Sequence, residues 1–111
     1  MTQVLLVCGA DGCLVSCKAT GHASFAKKGQ DIVCAAVSVL LRTVMELLEQ
    51  TEGVVLQADT STRGLLDFRV ASSDTSAAGR LKCAADFIRI AFSSLAREYP
   101  SNVVFLEQRQ G

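Results

Sequence analysis

The chain has 111 residues, of which half are apolar and a fifth are charged, and its 11 basic side chains balance 11 acidic ones. This length predicts one domain, residues 1–111, with a single hydrophobic core, and the composition is that of an ordinary globular protein. The formal net charge of zero disfavours direct binding to nucleic acid, because proteins that bind phosphate backbones carry a basic excess.

The termini and the long apolar stretches do not suggest export or membrane insertion. The first apolar run is short and no basic region precedes it, so we do not interpret it as a signal peptide. Residues 32–48, the longest apolar stretch, include Ser38, Arg42 and Glu46, which a membrane span would not carry at these spacings. We therefore expect a cytoplasmic protein that does not contact a membrane. An odd number of cysteines, five, also favours reduced thiols over a disulfide framework.

Two strands joined by a tight hairpin are predicted at the beginning of the chain. Residues 3–8 form a nearly continuous apolar run, and Asp11 and Gly12 are a turn-forming pair. Residues 13–20 alternate between small or apolar side chains and polar ones, with Leu14 as the exception. The alternation predicts one buried and one hydrated face for the second strand.

A helix is predicted over residues 31–50, after a loop at 21–30, with Asp31 as its N-cap. Its polar side chains form only a thin stripe, so we expect this helix to be buried on more than one side. Two interpretations have equal weight: part of the surface of this helix forms a homodimer contact, or the helix is central and is covered by its own chain.

The second half of the chain repeats the pattern of hairpin and helix. Residues 53–59 and 65–72 are predicted to form a hairpin across the polar turn at 60–64, and residues 102–108 form a last strand. The order is strand, strand, helix, strand, strand, helix, strand. This order predicts a two-layer α+β domain with a mostly antiparallel sheet and both helices on one face.

The second helix is predicted within residues 74–99. It begins at a capping Asp74 or Ser76 and ends before Pro100. Apolar side chains recur along it at steps of three or four residues, which predicts a buried face. This face consists of Leu81, Ala84, Ile88, Phe92 and Leu95.

One histidine and one cysteine form a candidate catalytic pair. His22 precedes Cys34 by twelve positions, and it is the one histidine that could act as a base. With Asp31 as the N-cap, Cys34 would be the third helical residue, where unpaired amides and the helix dipole favour a thiolate and could hold an oxyanion. Gly21 and Gly29 would act as hinges of the loop. The alternative is a chance spacing, with Cys34 as a small buried side chain.

Three neighbours are candidates for binding substrate or supporting the pair. Gly21 adjoins the histidine, and Ser38 follows Cys34 by one helical turn. Asp31 is either a cap or a group that orients His22, and the two roles are compatible. For Ser38 the simpler interpretation is an exposed helix serine.

A metal site is disfavoured. Cys8, Cys13, Cys17 and His22 have a spacing that resembles a ligand set. However, Cys13 and Cys17 would lie about 13 Å apart along an extended strand, too far to share one tetrahedral ion. We expect neither a metal nor another cofactor.

A known family shares the residues around the candidate pair. The stretches GHA at 21–23 and GQDIVCAAVS at 29–38 resemble the signature of the bacterial ribosomal-processing cysteine proteases, which are small cytoplasmic α+β proteins with dimeric members. The resemblance implies that His22 and Cys34 are the catalytic dyad. It also implies a substrate, the amino-terminal extension of the twenty-seventh large-subunit ribosomal protein, removed during ribosome assembly. The alternatives are a non-catalytic, ribosome-associated module that binds a peptide, and a structural zinc protein.

Overall fold

The computed structural model describes residues 1–21, 28–60 and 65–111, and for residues 28–31 it describes the backbone alone. The predicted order of five strands and two helices is confirmed. The elements are Thr2–Cys8 (β1), Leu14–Thr20 (β2), Lys28–Glu49 (α1), Val54–Asp59 (β3), Leu65–Ser73 (β4), Ala78–Glu98 (α2) and Val103–Arg109 (β5).

The five strands form one sheet in the order β3-β4-β2-β1-β5. Three of the four neighbouring pairs are antiparallel, and β5 runs parallel to β1. The two helices contact each other and share one hydrophobic core with the sheet, α1 over β3 and β4 and α2 over β5, β1 and β2. The predicted two-layer α+β architecture is therefore confirmed.

The first hairpin turns where the sequence predicts it. The amide of Gly12 donates to the carbonyl of Gly9 at 3.0 Å, and a carboxylate oxygen of Asp11 accepts from the amide of Cys13 at 2.9 Å. Gly12 has a φ of +85°, a left-handed conformation that side chains with a Cβ rarely adopt. The Asp-Gly pair thus supplies both the side-chain acceptor and the backbone freedom of the turn.

Leu14, the exception to the predicted alternation, faces the core because the hairpin contains a β-bulge. Cys8 pairs with Leu14 and Val7 pairs with Ser16, so Val15 is an extra residue on the second strand. Because of this extra residue, the side chain of Leu14 points into the core and is 2% exposed. A bulge shifts the phase of a strand, and a simple alternation rule does not include it.

The core lies between the sheet and the two helices. Four of the five residues predicted on the face of α2 are buried, and Leu95 packs at the edge of the core. The largest side chains that are less than 2% exposed are Phe68, Phe92, Leu6, Leu14, Leu41, Leu48 and Ile88.

The helix α1 begins earlier than predicted. Its first residue is Lys28, so Asp31 is the fourth helical residue and is not the N-cap, and Gly29 lies inside the helix instead of hinging a loop. Cys34 is then the seventh residue of the helix. Its backbone amide belongs to the second turn, where amides bond within the helix.

The start of α2 also differs from its prediction. A single 3-10 turn, Thr75–Ala77, precedes the helix and includes Ser76. Asp74 lies just before this turn, but its side chain makes no capping hydrogen bond. The helix itself ends at Glu98, two residues before Pro100, as expected for a residue that cannot continue a helix.

Three apolar side chains are exposed on the outer side of α1, beside the polar Thr43 and Glu46. Ile32, Val39 and Leu47 are 53%, 64% and 42% exposed. The helix is therefore not covered on all sides by its own chain, and the expectation of a central, enclosed helix is wrong. Neither helix in the described parts of the chain has the length and apolar content needed to cross a membrane.

An ion-pair network connects α2 to β5. Arg89 donates to both carboxylate oxygens of Glu107, at 2.8 Å and 2.7 Å, and to Asp86 at 2.8 Å. The side chains of Arg89 and Glu107 are 32% and 26% exposed, so water screens their contact only in part. The hydrogen bonds from Arg89 lower the pKa of Glu107.

We predict that this pair contributes stability that depends on pH. A carboxyl whose pKa is lower in the folded chain contributes fully above its unfolded pKa, and the contribution is lost as the pH falls through the folded pKa. We expect Glu107→Gln to lower the free energy of unfolding by about 1 kcal/mol at pH 7. Below about pH 4 the difference from wild type should shrink. Urea unfolding across this range measures both, with the exposed Glu52→Gln as control. A difference that stays constant with pH would contradict the prediction.

Candidate active site

Cys34 is positioned by the packing of α1 against the sheet. The preceding residue, Val33, is completely buried, and Val37 is 4% exposed. These two side chains fix the rotation of the helix about its axis. Cys34, partly exposed, then lies on the flank of α1 at the end of the sheet where β1 begins, with its sulfur 3.9 Å from the Thr2 hydroxyl oxygen.

Thr2 connects three parts of the chain at this point. Its side chain is 3% exposed, and its hydroxyl donates to the carbonyl oxygen of Gly21 at 3.3 Å. Its backbone amide donates to the carbonyl of Asn102 at 2.8 Å, just before β5. The first residue of β1 therefore links the cysteine of α1 to the residue that follows β2.

The backbone conformation and the surroundings of Gly21 leave no room for a side chain. It has a φ of +81°, and a Cβ at this position would overlap the carbonyl oxygen of Met1. The sequence predicts Gly21 as a hinge beside the histidine, and the structure adds that the backbone approaches Met1 closely. The position where the chain leaves β2 toward His22 is thus fixed by backbone geometry.

The structure describes the other predicted site residues to different extents. His22 lies outside the described residues, so the distance from its ring to Cys34 stays a prediction. Asp31 lies in the first turn of α1, but its side chain is also outside the described part. Ser38 is half-buried and follows Cys34 by one turn, on the same flank of the helix.

Because α1 begins earlier than predicted, the helix terminus supports a Cys34 thiolate less than the sequence suggests. The influence of a helix terminus falls off within the first turn, and Cys34 lies beyond it. The predicted donation from the amide of Cys34 to an oxyanion is also wrong, since that amide is bonded within the helix.

The remaining four cysteines have environments unlike that of Cys34. Burial raises the pKa of Cys17 to about 12 and also raises the pKa of Cys8, and both side chains are completely buried. Burial and the nearby Asp11 raise the pKa of Cys13. Cys83 is exposed on α2. Within the parts of the chain that the structure describes, no three side chains of metal-binding type come together.

Sequence reasoning did not find Thr2. Its contact with Cys34 spans 32 positions and its contact with Gly21 spans 19. Both contacts arise from the pairing of strands and the docking of α1, so no local pattern marks the residue. A buried hydroxyl at the first position of a strand can be found only once the sheet is assembled.

Known proteins resemble this chain over most of its length. A family model described as "Cysteine protease Prp" matches residues 1–104. The chain is 35% identical over 92 residues to the "Ribosomal processing cysteine protease Prp" of Mycoplasma pneumoniae, a match that covers 83% of this chain and 86% of the relative.

Solved structures share the whole fold. A protein of Streptococcus mutans has a TM-score of 0.80 at 28% identity, over 99% of each chain. The ribosomal processing protease Prp of S. aureus, solved with a substrate peptide, also has a TM-score of 0.80, over 97% of this chain and 100% of that one. Its sequence identity is 17%, so this second likeness shows the fold alone.

We predict that the Gly21 backbone does not tolerate a side chain. Gly21→Ala should lower the free energy of unfolding by about 1–3 kcal/mol, because the added Cβ meets the Met1 carbonyl in a left-handed conformation. Gly79→Ala is the matched control: a Cβ there meets nothing within 4 Å, and the change should stabilise α2 by about 0.5 kcal/mol. Chemical denaturation of both variants checks the prediction, and equal stability of Gly21→Ala and wild type would refute it.

Proposed function

This chain belongs to the family of the cysteine protease Prp, and we propose that it removes the amino-terminal extension of the twenty-seventh large-subunit ribosomal protein during ribosome assembly. As a member of that family it is a cysteine protease. The match over residues 1–104 carries the proposal, because it includes both His22 and Cys34. The family therefore favours an enzyme over a non-catalytic peptide-binding module.

The substrate is supported by two relatives. The curated relative of M. pneumoniae is named a ribosomal processing protease, and the S. aureus protein of the same fold binds a substrate peptide. The stretches at 21–23 and 29–38 resemble the signature of a family that acts on one ribosomal protein. The proposal takes that protein as the substrate. We propose that the reaction takes place in the cytoplasm, where ribosomes assemble.

In the proposed mechanism Cys34 is the nucleophile and His22 is its base. His22 takes the thiol proton as the sulfur attacks the carbonyl carbon of the scissile bond. It then gives this proton to the leaving amine as the peptide bond breaks, which leaves an acyl group on the sulfur. The new amino terminus of the ribosomal protein then leaves, and His22 takes a proton from water as the water oxygen attacks the acyl carbon. The carbon–sulfur bond breaks, the extension leaves with a carboxyl terminus, and the proton passes from His22 to the sulfur.

The partial exposure of Cys34 supports its assignment as nucleophile. Cys34 is partly exposed, whereas Cys8 and Cys17 are completely buried. Ser38 lies on the same flank of α1, and its proposed role is to line the path of a substrate. Gly21 and Asp31 are proposed to support the loop that carries His22.

We predict that cleavage depends on both members of the dyad. The purified chain should remove the extension from the extended ribosomal protein, and Cys34→Ala and His22→Ala should each reduce the rate by about a thousandfold or more. Cys83→Ala, which removes an exposed thiol elsewhere, should cleave as wild type does. Mass spectrometry of the released peptide measures the rate. Cleavage that survives Cys34→Ala would end the proposed mechanism, and a parent organism whose ribosomal protein has no extension would end the proposed substrate.

We also propose a homodimer formed through the outer side of α1. Ile32, Val39 and Leu47 are exposed and apolar, and helical geometry places them on the side of α1 away from Cys34 and Ser38. Two copies paired through this side would cover the apolar surface and leave both sulfurs open to substrate. The dimeric members of the family that the sequence resembles support the same arrangement.

We predict that a charge introduced on the outer side of α1 dissociates the dimer. Val39→Glu should convert the dimer to a monomer, because it would bury a carboxylate in an apolar contact. Ser94→Glu adds the same charge to an exposed position of α2 and should leave the dimer intact. Sedimentation velocity at several protein concentrations distinguishes the two states. A monomeric wild type, or dissociation by Ser94→Glu alone, would contradict the arrangement.

A further inference from the structure

Thr2 is one of two buried polar side chains among the described residues, and the other is Thr51. The Thr51 hydroxyl donates to the carbonyl of Leu47 one turn earlier at 2.7 Å, an ordinary local bond for a threonine at the end of a helix. Thr2 differs because its hydroxyl lies between two groups that are distant in sequence, the sulfur of Cys34 and the carbonyl of Gly21. The surroundings of Thr2 therefore suggest a role beyond local capping.

The Thr2 hydroxyl has one hydrogen to give. While Cys34 is a thiol, its S–H can donate to the Thr2 oxygen as the Thr2 hydroxyl donates to Gly21. A thiolate has no hydrogen and is a stronger acceptor, because hydrogen bonds to charged groups are stronger and shorter. The Gly21 carbonyl and the ionised sulfur then compete for the same hydrogen.

We propose that Thr2 is a positioning residue whose hydroxyl transfers its hydrogen bond from the Gly21 carbonyl to the Cys34 sulfur when the thiol ionises. The two atoms lie 3.9 Å apart in this structure, a long contact for a hydrogen bond to sulfur, and in the proposed transfer this contact shortens as the charge forms. The transfer stabilises the thiolate and releases the carbonyl of the residue that precedes His22. The inference rests on the proposed function in taking Cys34 as the nucleophile.

The backbone of Thr2 is held firmly enough for this role. Its amide is bonded to Asn102, and β1 lies between β2 and β5 in the sheet. Groups on strands are placed more accurately than groups on loops. The hydroxyl can therefore change its acceptor by rotation of the side chain while the strand stays in place.

Alkylation of Cys34 as a function of pH tests the proposal. Thr2→Val keeps the shape of the side chain and removes the hydroxyl, so the alkylation profile should move to higher pH. At pH 6.5 the rate should fall about three- to tenfold. Thr2→Ser keeps the hydroxyl and should stay within about twofold of wild type. Thr51→Val is the matched control, since it loses a buried threonine hydrogen bond without approaching the sulfur, and its profile should equal that of wild type. Mass spectrometry resolves the Cys34 peptide from those of the other cysteines.

A second measurement needs no variant. In wild-type protein labelled with carbonyl-13C glycine, the Gly21 resonance should move with pH at the midpoint of Cys34 alkylation, and the Gly53 resonance should not. A wild-type profile in Thr2→Val, an equal shift in Thr51→Val, or a Gly21 resonance that does not titrate would overturn the inference. These outcomes are separate from the cleavage assay: an active Cys34→Ala would remove the proposed dyad whatever the profile of Thr2→Val.

Discussion

The packing of α1 against the sheet is the constraint on which the rest of the site depends. Val33, Val37 and Leu41 are buried at successive turns. Rotating the helix to aim Cys34 elsewhere would expose these side chains, at a cost of about 1.5–3 kcal/mol for each one. Cys34 follows Val33 directly, so its direction is set by its neighbour's burial. An entirely apolar contact thus sets the direction of the Cys34 side chain.

Much of the architecture could be predicted from periodicity. Alternation identified the strands, and the recurrence of Leu81, Ala84, Ile88 and Phe92 identified the buried face of α2. The errors arose where a local signal competed with another one. Asp31 is a stronger capping residue than its predecessors, and this placed the start of α1 four residues too late. The bulge at Val15 changed the phase of β2 in a way that alternation cannot show.

The residues of the candidate site also differ in how far they could be predicted from the sequence. His22 and Cys34 are candidates from the sequence alone because residue types with distinctive chemistry occur at a suggestive spacing beside a family signature. Gly21 could be anticipated as a backbone position, though the reason for it, the closeness of Met1, needed the folded chain. Thr2 could not be anticipated, since a threonine near the start of a strand is commonplace. Its significance comes from three elements meeting at one end of the sheet.

The parallel pairing of β1 with β5 has a consequence for the order in which the molecule is completed during synthesis. Thr2 pairs with Val103, so the beginning of the first strand acquires its second neighbour only after nearly the whole chain has been made. A nascent chain that ends before Val103 has β1 as an edge strand, and its Thr2 amide lacks the bond to Asn102. The surroundings of Cys34 are therefore completed last, once residues 102 and 103 have been made and β5 can pair with β1.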